Sequence, residues 1–191
     1  MTRQLAVLCV LFLCTSASVR AQADRSYVPL SLSYSFPGGA LADSFDIKSG
    51  LGFSLGYQYA LDRNWRVGAK GTWMWSKLGS SPYGDLSQYA ATYYQILASV
   101  TWRTFKHGWS PYLQGEGGLG FINLDEVVAN MPIKVEGASA VRGSVGGSVG
   151  VLVPLSPALD VDVSGRFNYL FTNNRYTILG VHVGVVYLLN P

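Results

Sequence analysis

The segment Trp65–Ser76 reads WRVGAKGTWMWS, and apolar and polar residues alternate along it. Its odd positions are apolar or aromatic, whereas Arg66, Lys70 and Thr72 lie at even positions. Because successive side chains of a β-strand point to opposite faces, this pattern predicts a strand with one apolar and one polar face. Seven further segments alternate in the same way, so that the sequence predicts eight strands, the others lying within residues 28–36, 51–59, 93–103, 113–121, 141–153, 159–171 and 179–187.

The connections between these segments alternate in length, which favours an antiparallel transmembrane barrel. Such barrels have periplasmic termini, tight periplasmic turns and longer external loops. The connection near Asn173–Arg175 is the exception, because it should be external and is short. The others follow the rule, with long connections at 37–48, 77–88 and 123–139 and short ones at 61–64, 106–110 and 156–157.

Aromatic residues of the apolar face are sorted by their height along the strands. Aliphatic residues lie between two aromatic groups, as expected where amphipathic rings favour the two membrane interfaces. A water-soluble barrel gives no reason for this sorting, so the apolar face is predicted to contact lipid. The periplasmic group contains Tyr57, Tyr59, Trp65, Trp102 and Tyr187, and the external group contains Tyr34, Phe36, Trp73, Trp75, Phe121, Tyr169 and Phe171.

The N-terminal segment predicts export. Leu5–Cys14 is an apolar run of about ten residues behind Arg3, the length of a signal-peptide core and too short to span a membrane. We expect residues 1–21 to be the signal peptide and 22–191 the barrel domain, with cleavage after Ala21 or Ala23. The mature chain then has no cysteine. It keeps 12 basic and 11 acidic residues, and a net charge of +1 argues against a nucleic-acid partner.

Charged residues recur on the polar face, which points into the lumen. An eight-stranded barrel is just wide enough for side chains to fill, and buried charges must be paired. Glycine and serine between the charges give long side chains room to cross. We interpret these charges as a network that plugs the barrel, with a narrow channel for ions or small solutes as the alternative; its members are Arg66, Lys70, Arg103, Glu116, Arg142, Asp160, Asp162 and Arg166.

This pattern resembles the small OmpA/OmpX-type barrels of the outer membrane protein β-barrel family over nearly the whole mature chain. The resemblance implies a bacterial outer-membrane location, contact with outer-membrane lipid and lipopolysaccharide, and recognition by the barrel-insertion machinery. Tyr187 matches the aromatic residue that often closes the last strand of such barrels, although Leu188–Pro191 follow it. We expect a structural or surface-interaction role through the external loops, whose extracellular ligand the sequence does not identify.

Some eight-stranded relatives modify lipid A, so the histidines were considered as catalytic residues. A Ser–His–acid site needs an activated hydroxyl beside the imidazole. Neither His182, predicted to face inward, nor His107, in a periplasmic turn, has an adjacent serine; a partner from another strand stays open. Gly115–Gly120 matches G-x-G-x-x-G, but a dinucleotide site needs a helix after it, and here a strand continues. We therefore expect no enzyme, no cofactor and no metal, and we interpret these glycines as points of close approach.

Overall fold

The computed structural model describes residues 25–39, 42–43, 46–81, 84–85, 90–104, 108–124, 139–172 and 176–189. The predicted signal peptide, His107 and Asn173–Arg175 lie outside these ranges, as does most of the loop 123–139. No helix within the described ranges is long and apolar enough to cross a membrane. The strands are β1 (Ser26–Gly38), β2 (Gly50–Ala60), β3 (Trp65–Lys77), β4 (Ser80–Ser81), β5 (Gly84–Asp85), β6 (Ala90–Arg103), β7 (Ser110–Leu124), β8 (Ser139–Ser156), β9 (Leu159–Leu170) and β10 (Tyr176–Leu188).

Eight of these strands form a closed antiparallel barrel, which confirms the predicted fold. The order around the barrel is β1-β10-β9-β8-β7-β6-β3-β2, and pairing of β1 with β10 completes the closure. Tyr27 pairs with Leu188 in that closure, so the start of β1 and the end of β10 lie together at the periplasmic end of the barrel. Strands β4 and β5 form a separate two-stranded sheet in the second external connection, which the sequence did not predict.

The periplasmic turn between β2 and β3 has a local cause. Asp62 Oδ1 accepts hydrogen bonds from the backbone N–H of Asn64 at 2.6 Å and of Trp65 at 2.7 Å. An aspartate that binds the backbone N–H groups just after it favours a tight turn. Asn64 Nδ2 also donates to the Arg103 carbonyl at 2.8 Å, and this contact ties the turn to β6.

The outer wall is apolar, as the alternation predicted. Leu32, Ile96 and Val149 are exposed by 71%, 64% and 61%. Ser33, which follows Leu32, and Gln95, which precedes Ile96, are instead buried in the barrel. The aromatic residues predicted for the periplasmic girdle all point outward, and Trp65 pairs with Trp102 across β3 and β6. The external group includes exposed Trp75 and the ring pair Tyr169–Phe171, with centroids 5.5 Å apart. The wall therefore suits lipid contact.

The barrel interior has three layers along its axis. An apolar layer lies at the external end and consists of Ala42, Ile47, Met74, Leu78, Ala91, Tyr93, Ile122, Leu170, Tyr176 and Ile178. A second apolar layer lies at the periplasmic end and consists of Tyr27, Ala60, Tyr112, Leu152, Val186 and Leu188. Buried charged residues such as Glu116 and Arg166 lie between these two layers. The two apolar layers were not predicted from the sequence.

External connections contribute to the external apolar layer. Ala42 and Ile47 belong to the connection between β1 and β2, and Leu78 follows β3. The backbone N–H of Lys48 donates to the carbonyl of Lys77 at 2.9 Å, which joins the two connections. Parts of these connections are thus packed onto the barrel as a cover.

Candidate functional site

Three charged side chains meet in the middle of the lumen. Lys70 Nζ lies 2.7 Å from Glu116 Oε1, and Arg166 Nη2 lies 2.6 Å from Glu116 Oε2. Arg166 Nε donates to the same Oε2 at 3.1 Å. The Glu116 side chain is fully buried, and those of Arg166 and Lys70 are only 3% and 14% exposed. We call these three residues the lumen triad.

The lumen triad crosslinks strands that are far apart in sequence. Lys70 lies on β3, Glu116 on β7 and Arg166 on β9, so the ion pairs span the interior of the barrel. Both carboxylate oxygens of Glu116 are occupied. A charge-assisted pair with this geometry is strong, but the desolvation of its members offsets much of the gain. The triad therefore specifies how the interior packs more than it adds net stability.

Neutral polar side chains complete the coordination of Arg166. Its Nη1 donates to Thr72 Oγ1 at 3.1 Å, and its Nη2 donates to Gln95 Oε1 at 3.1 Å. Gln95 in turn donates from Nε2 to Ser144 Oγ at 2.7 Å. Residues of β3, β6, β8 and β9 are thereby joined into one buried network, which fills the middle of the lumen.

Two predicted lumen arginines stack on one tyrosine instead of joining the triad. The Arg66 guanidinium lies 3.5 Å and the Arg103 guanidinium 5.7 Å from the centroid of the Tyr27 ring. Arg66 is only 2% exposed and Arg103 only 8%. A cation over the face of a buried aromatic ring is stabilised by the ring quadrupole. Tyr27 belongs to the periplasmic apolar layer, so the two arginines lie beside that layer.

The remaining predicted members of the network lie apart from the triad. Asp162 faces Tyr112, whose hydroxyl lies 2.9 and 3.2 Å from the two carboxylate oxygens. Asp160 is half-buried near the periplasmic end of β9. Arg142 is exposed near the external end of β8, where its Nη1 donates to the Val141 carbonyl at 2.8 Å. The structure therefore brings together Lys70, Glu116 and Arg166, and it places Arg142 outside the buried network because its strand extends beyond the filled part of the lumen.

His182 faces the lumen and is only 5% exposed. Its register neighbours are Ser33 on β1 and Ser164 on β9, which are also buried. Within the described part of the chain, neither serine hydroxyl is hydrogen-bonded to the imidazole. A lipid substrate would approach from the outer wall, and His182 points away from it. This position favours a packing role for the imidazole.

The glycines of β7 divide into two groups. A Cβ added to Gly118 would overlap the Ile96 carbonyl oxygen, and one added to Gly120 would lie 2.9 Å from Tyr93 Oη. Gly118 and Gly120 thus permit the close approach that the sequence predicted. Among the described residues, an added Cβ on Gly115 would meet no heavy atom within 4 Å. Packing therefore explains only part of the G-x-G-x-x-G match.

Sequence reasoning missed the apolar side chains that close the lumen. Met74, Tyr93, Ile122 and Ile178 occupy inward positions where the alternation otherwise places polar residues. All four lie near the external ends of their strands. Apolar residues recurring on the polar face at one height are the signal that predicts such a layer.

A closed barrel with an apolar wall and a filled lumen defines an integral protein of the bacterial outer membrane. The sequence profile of the outer membrane protein beta-barrel domain matches residues 5–187, and the chain belongs to that family. This result confirms the predicted family and location. No curated protein matches the sequence.

Solved structures of small outer-membrane barrels share the fold. Neisserial surface protein A is 17% identical, with 85% of this chain and 96% of that chain covered and a TM-score of 0.63. The attachment invasion locus protein Ail of Yersinia pestis, in complex with the heparin analogue sucrose octasulfate, is 17% identical, with coverages of 88% and 100% and a TM-score of 0.58. OprG of Pseudomonas aeruginosa is 10% identical, with coverages of 89% and 98% and a TM-score of 0.53. Identities this low show the fold alone.

Proposed function

We propose that this protein is a sealed, rigid scaffold that presents its external loops at the cell surface, with a structural or surface-interaction role. One observation carries the proposal. Buried apolar layers lie at both ends of the lumen, and the ion-paired lumen triad lies in its middle. A barrel filled in this way is suited to holding loops in place.

The alternative is a narrow channel for ions or small solutes, and the same layers argue against it. An ion that enters the lumen must lose its hydration in an apolar layer, and taking a charge out of water costs several kcal/mol even in real proteins. At the level of the lumen triad, the Glu116 carboxylate is already bound by two cations. Conduction would require both layers and the triad to rearrange together.

The external connections provide the surface for an interaction. The connections at 39–49, 78–89, 125–138 and 171–175 contain six acidic and three basic residues. The heparin analogue bound to Ail is a polyanion, and an acidic surface repels such a ligand, so we propose a different kind of ligand for this chain. The third connection also carries Val127, Val128, Met131 and Ile133. We infer that it contacts the apolar surface of a protein partner.

The lipid and assembly partners follow from the barrel itself. Its apolar wall suits contact with outer-membrane lipid and the acyl chains of lipopolysaccharide, and its last strand carries outward-facing Tyr187 one residue before its end. We propose that the barrel-insertion machinery recognises this strand. We also propose that the protein is no enzyme, because the buried imidazole of His182 points away from the lipid phase.

Replacing residues 125–138 by a short turn tests the interaction. A variant in which the same residues are shuffled serves as the matched control for loop length and composition. We expect both variants to fold, as judged by heat-modifiable mobility on SDS gels. We also expect both to lose attachment of the cell surface to the protein partner. Attachment that survives both changes would contradict the proposed role of this loop. If deletion of the protein weakens the envelope and the short-turn variant restores it, the role is structural.

A further inference from the structure

A polar cavity of about 40 Å³ lies inside the lumen. Its wall includes Lys70, Arg166 and His182 on one side and Tyr112, Leu152 and Val186 on the other. It therefore lies between the lumen triad and the periplasmic apolar layer. One water needs roughly 10–15 Å³ when volume is measured in this way, so the cavity has room for a small ion and one or two waters.

Unpartnered donors line this cavity. Nε and Nη2 of Arg66 and Nε2 of Gln114 are buried, and among the described residues they have no hydrogen-bond partner. Both side chains line the cavity and are more than nine-tenths buried, with exposures of 2% and 8%. Buried donors without acceptors are costly, and such groups in native proteins usually have a bound water or ion. These donors require an acceptor inside the cavity.

The donors also lie next to one another on the barrel wall. Arg66 on β3 pairs in register with Thr101 on β6, and Thr101 pairs with Gln114 on β7. The Thr101 hydroxyl accepts a hydrogen bond from Gln58 Nε2 at 3.4 Å, so its own proton is available to donate. A guanidinium, a hydroxyl and an amide on three adjacent strands therefore line the same cavity.

The charges around the cavity favour an anion as that acceptor. Lys70 and Arg166 share the carboxylate of Glu116, and the Asp162 carboxylate faces the Tyr112 hydroxyl. Asp160 is half-buried near the periplasmic end of β9, and within the described part of the chain Nε and Nη2 of Arg66 have no acceptor. The Arg66 guanidinium also shares the Tyr27 ring with Arg103. Two like charges beside an apolar layer repel each other, and a small anion offsets this repulsion.

We propose that this cavity is a binding site for a small monovalent anion of the chloride class. Arg66 supplies the charge, and Thr101 and Gln114 supply the neutral donors. The anion fills the lumen from within and fastens β3 to β6 and β7. This site is independent of the loop function proposed above.

Crystals of the refolded protein grown in sodium bromide test the site directly. We expect an anomalous bromide peak within hydrogen-bond distance of Arg66 Nε or Nη2 and of Gln114 Nε2. Ordered water at that position without anomalous signal would overturn the proposal. This experiment uses the wild-type chain and so does not depend on the folding of a variant.

Urea unfolding in sodium chloride and in sodium gluconate at equal ionic strength tests the energetics. Gluconate is too large for the cavity, so a specific chloride effect appears as a saturating rise in the urea midpoint. At ten times the dissociation constant, the ratio of unfolded to folded protein at fixed urea falls roughly elevenfold. We expect Arg66→Gln and Gln114→Leu to lose this response and Arg142→Gln, at the exposed rim, to keep it. Equal midpoints of the wild-type protein in the two salts would contradict the proposal.

Discussion

Removing the charge of Glu116 is the most informative perturbation of the lumen. Glu116→Gln keeps the shape of the side chain but leaves the Lys70 ammonium and the Arg166 guanidinium without their shared carboxylate. Glu116 is fully buried and Arg166 is only 3% exposed, so water compensates little of the loss. Breaking one partner of a buried ion pair costs about 3–5 kcal/mol. With an m value of about 2 kcal/mol/M, the urea midpoint falls by roughly 2 M.

Urea titrations of barrels folded in lipid vesicles measure this cost, with tryptophan fluorescence and gel mobility as independent signals. Asp46→Asn is the matched control, because the Asp46–Lys48 ion pair is equally short at 2.7 Å but exposed by 36% and 56%. We expect the control to cost at most about 1 kcal/mol. Adding Lys70→Met to Glu116→Gln should recover part of the loss, because one unpaired cation is removed. A loss below about 1 kcal/mol for Glu116→Gln would refute the reasoning that the triad is desolvated and mutually dependent.

Three further changes test the wall, the interior and one turn. Gly150→Ala places a Cβ 2.6 Å from Ser164 Cβ and should destabilise the barrel by about 1–3 kcal/mol. Gly165→Ala should be nearly neutral, because its Cβ would meet no atom of the described residues within 4 Å. Equal urea midpoints for the two variants would contradict this difference. Val149→Arg, on the outer wall near the middle of β8, should lower the free energy of unfolding by about 2–4 kcal/mol. Val153→Arg, nearer the periplasmic end, should lower it by only about 0–1 kcal/mol. Equal losses for the two variants in lipid vesicles would contradict lipid contact at these positions. Asp62→Ala removes the acceptor of two hydrogen bonds from backbone N–H groups in the β2–β3 turn. A helix N-cap side chain accepts the same kind of bond, so we expect a similar loss of about 0.5–2 kcal/mol in the free energy of unfolding. A urea midpoint equal to that of the wild-type protein would show that the turn does not need these two hydrogen bonds.

The strands and their faces could be predicted because alternation is a local property of the backbone. Each residue of WRVGAKGTWMWS faces the side opposite to its neighbour, so a single strand of sequence identifies its lipid face and its lumen face. Turn positions also follow from local chemistry, as the hydrogen bonds of Asp62 illustrate. The resulting prediction of eight antiparallel strands needed no knowledge of pairing registers.

The contacts inside the lumen could not be predicted in this way, because they depend on stagger around the whole barrel. Lys70 and Glu116 are 46 positions apart, and Glu116 and Arg166 are 50 apart. Alternation places all three in the lumen but does not give their relative heights. The missing information on height also explains Arg142. Alternation predicts that this residue faces inward, but it lies at the exposed external end of β8.

The apolar layers were in principle predictable. Met74 and Tyr93 pair in register across β3 and β6, and both interrupt the polar face near the external end. Comparing inward positions by height, and not only by parity, would have separated these residues from the charged middle. The packing of Ile47 and Leu78 onto this layer is a tertiary contact that no periodicity reveals.

Single-channel recording of the folded barrel in planar bilayers tests the sealed lumen most directly. The same preparation must show heat-modifiable mobility, so that an absence of current steps reflects a closed barrel and not an unfolded one. We expect no discrete conductance steps, because apolar layers lie at both ends of the lumen and the lumen triad lies in its middle. Reproducible conductance steps from the wild-type protein would contradict it and would favour the narrow channel.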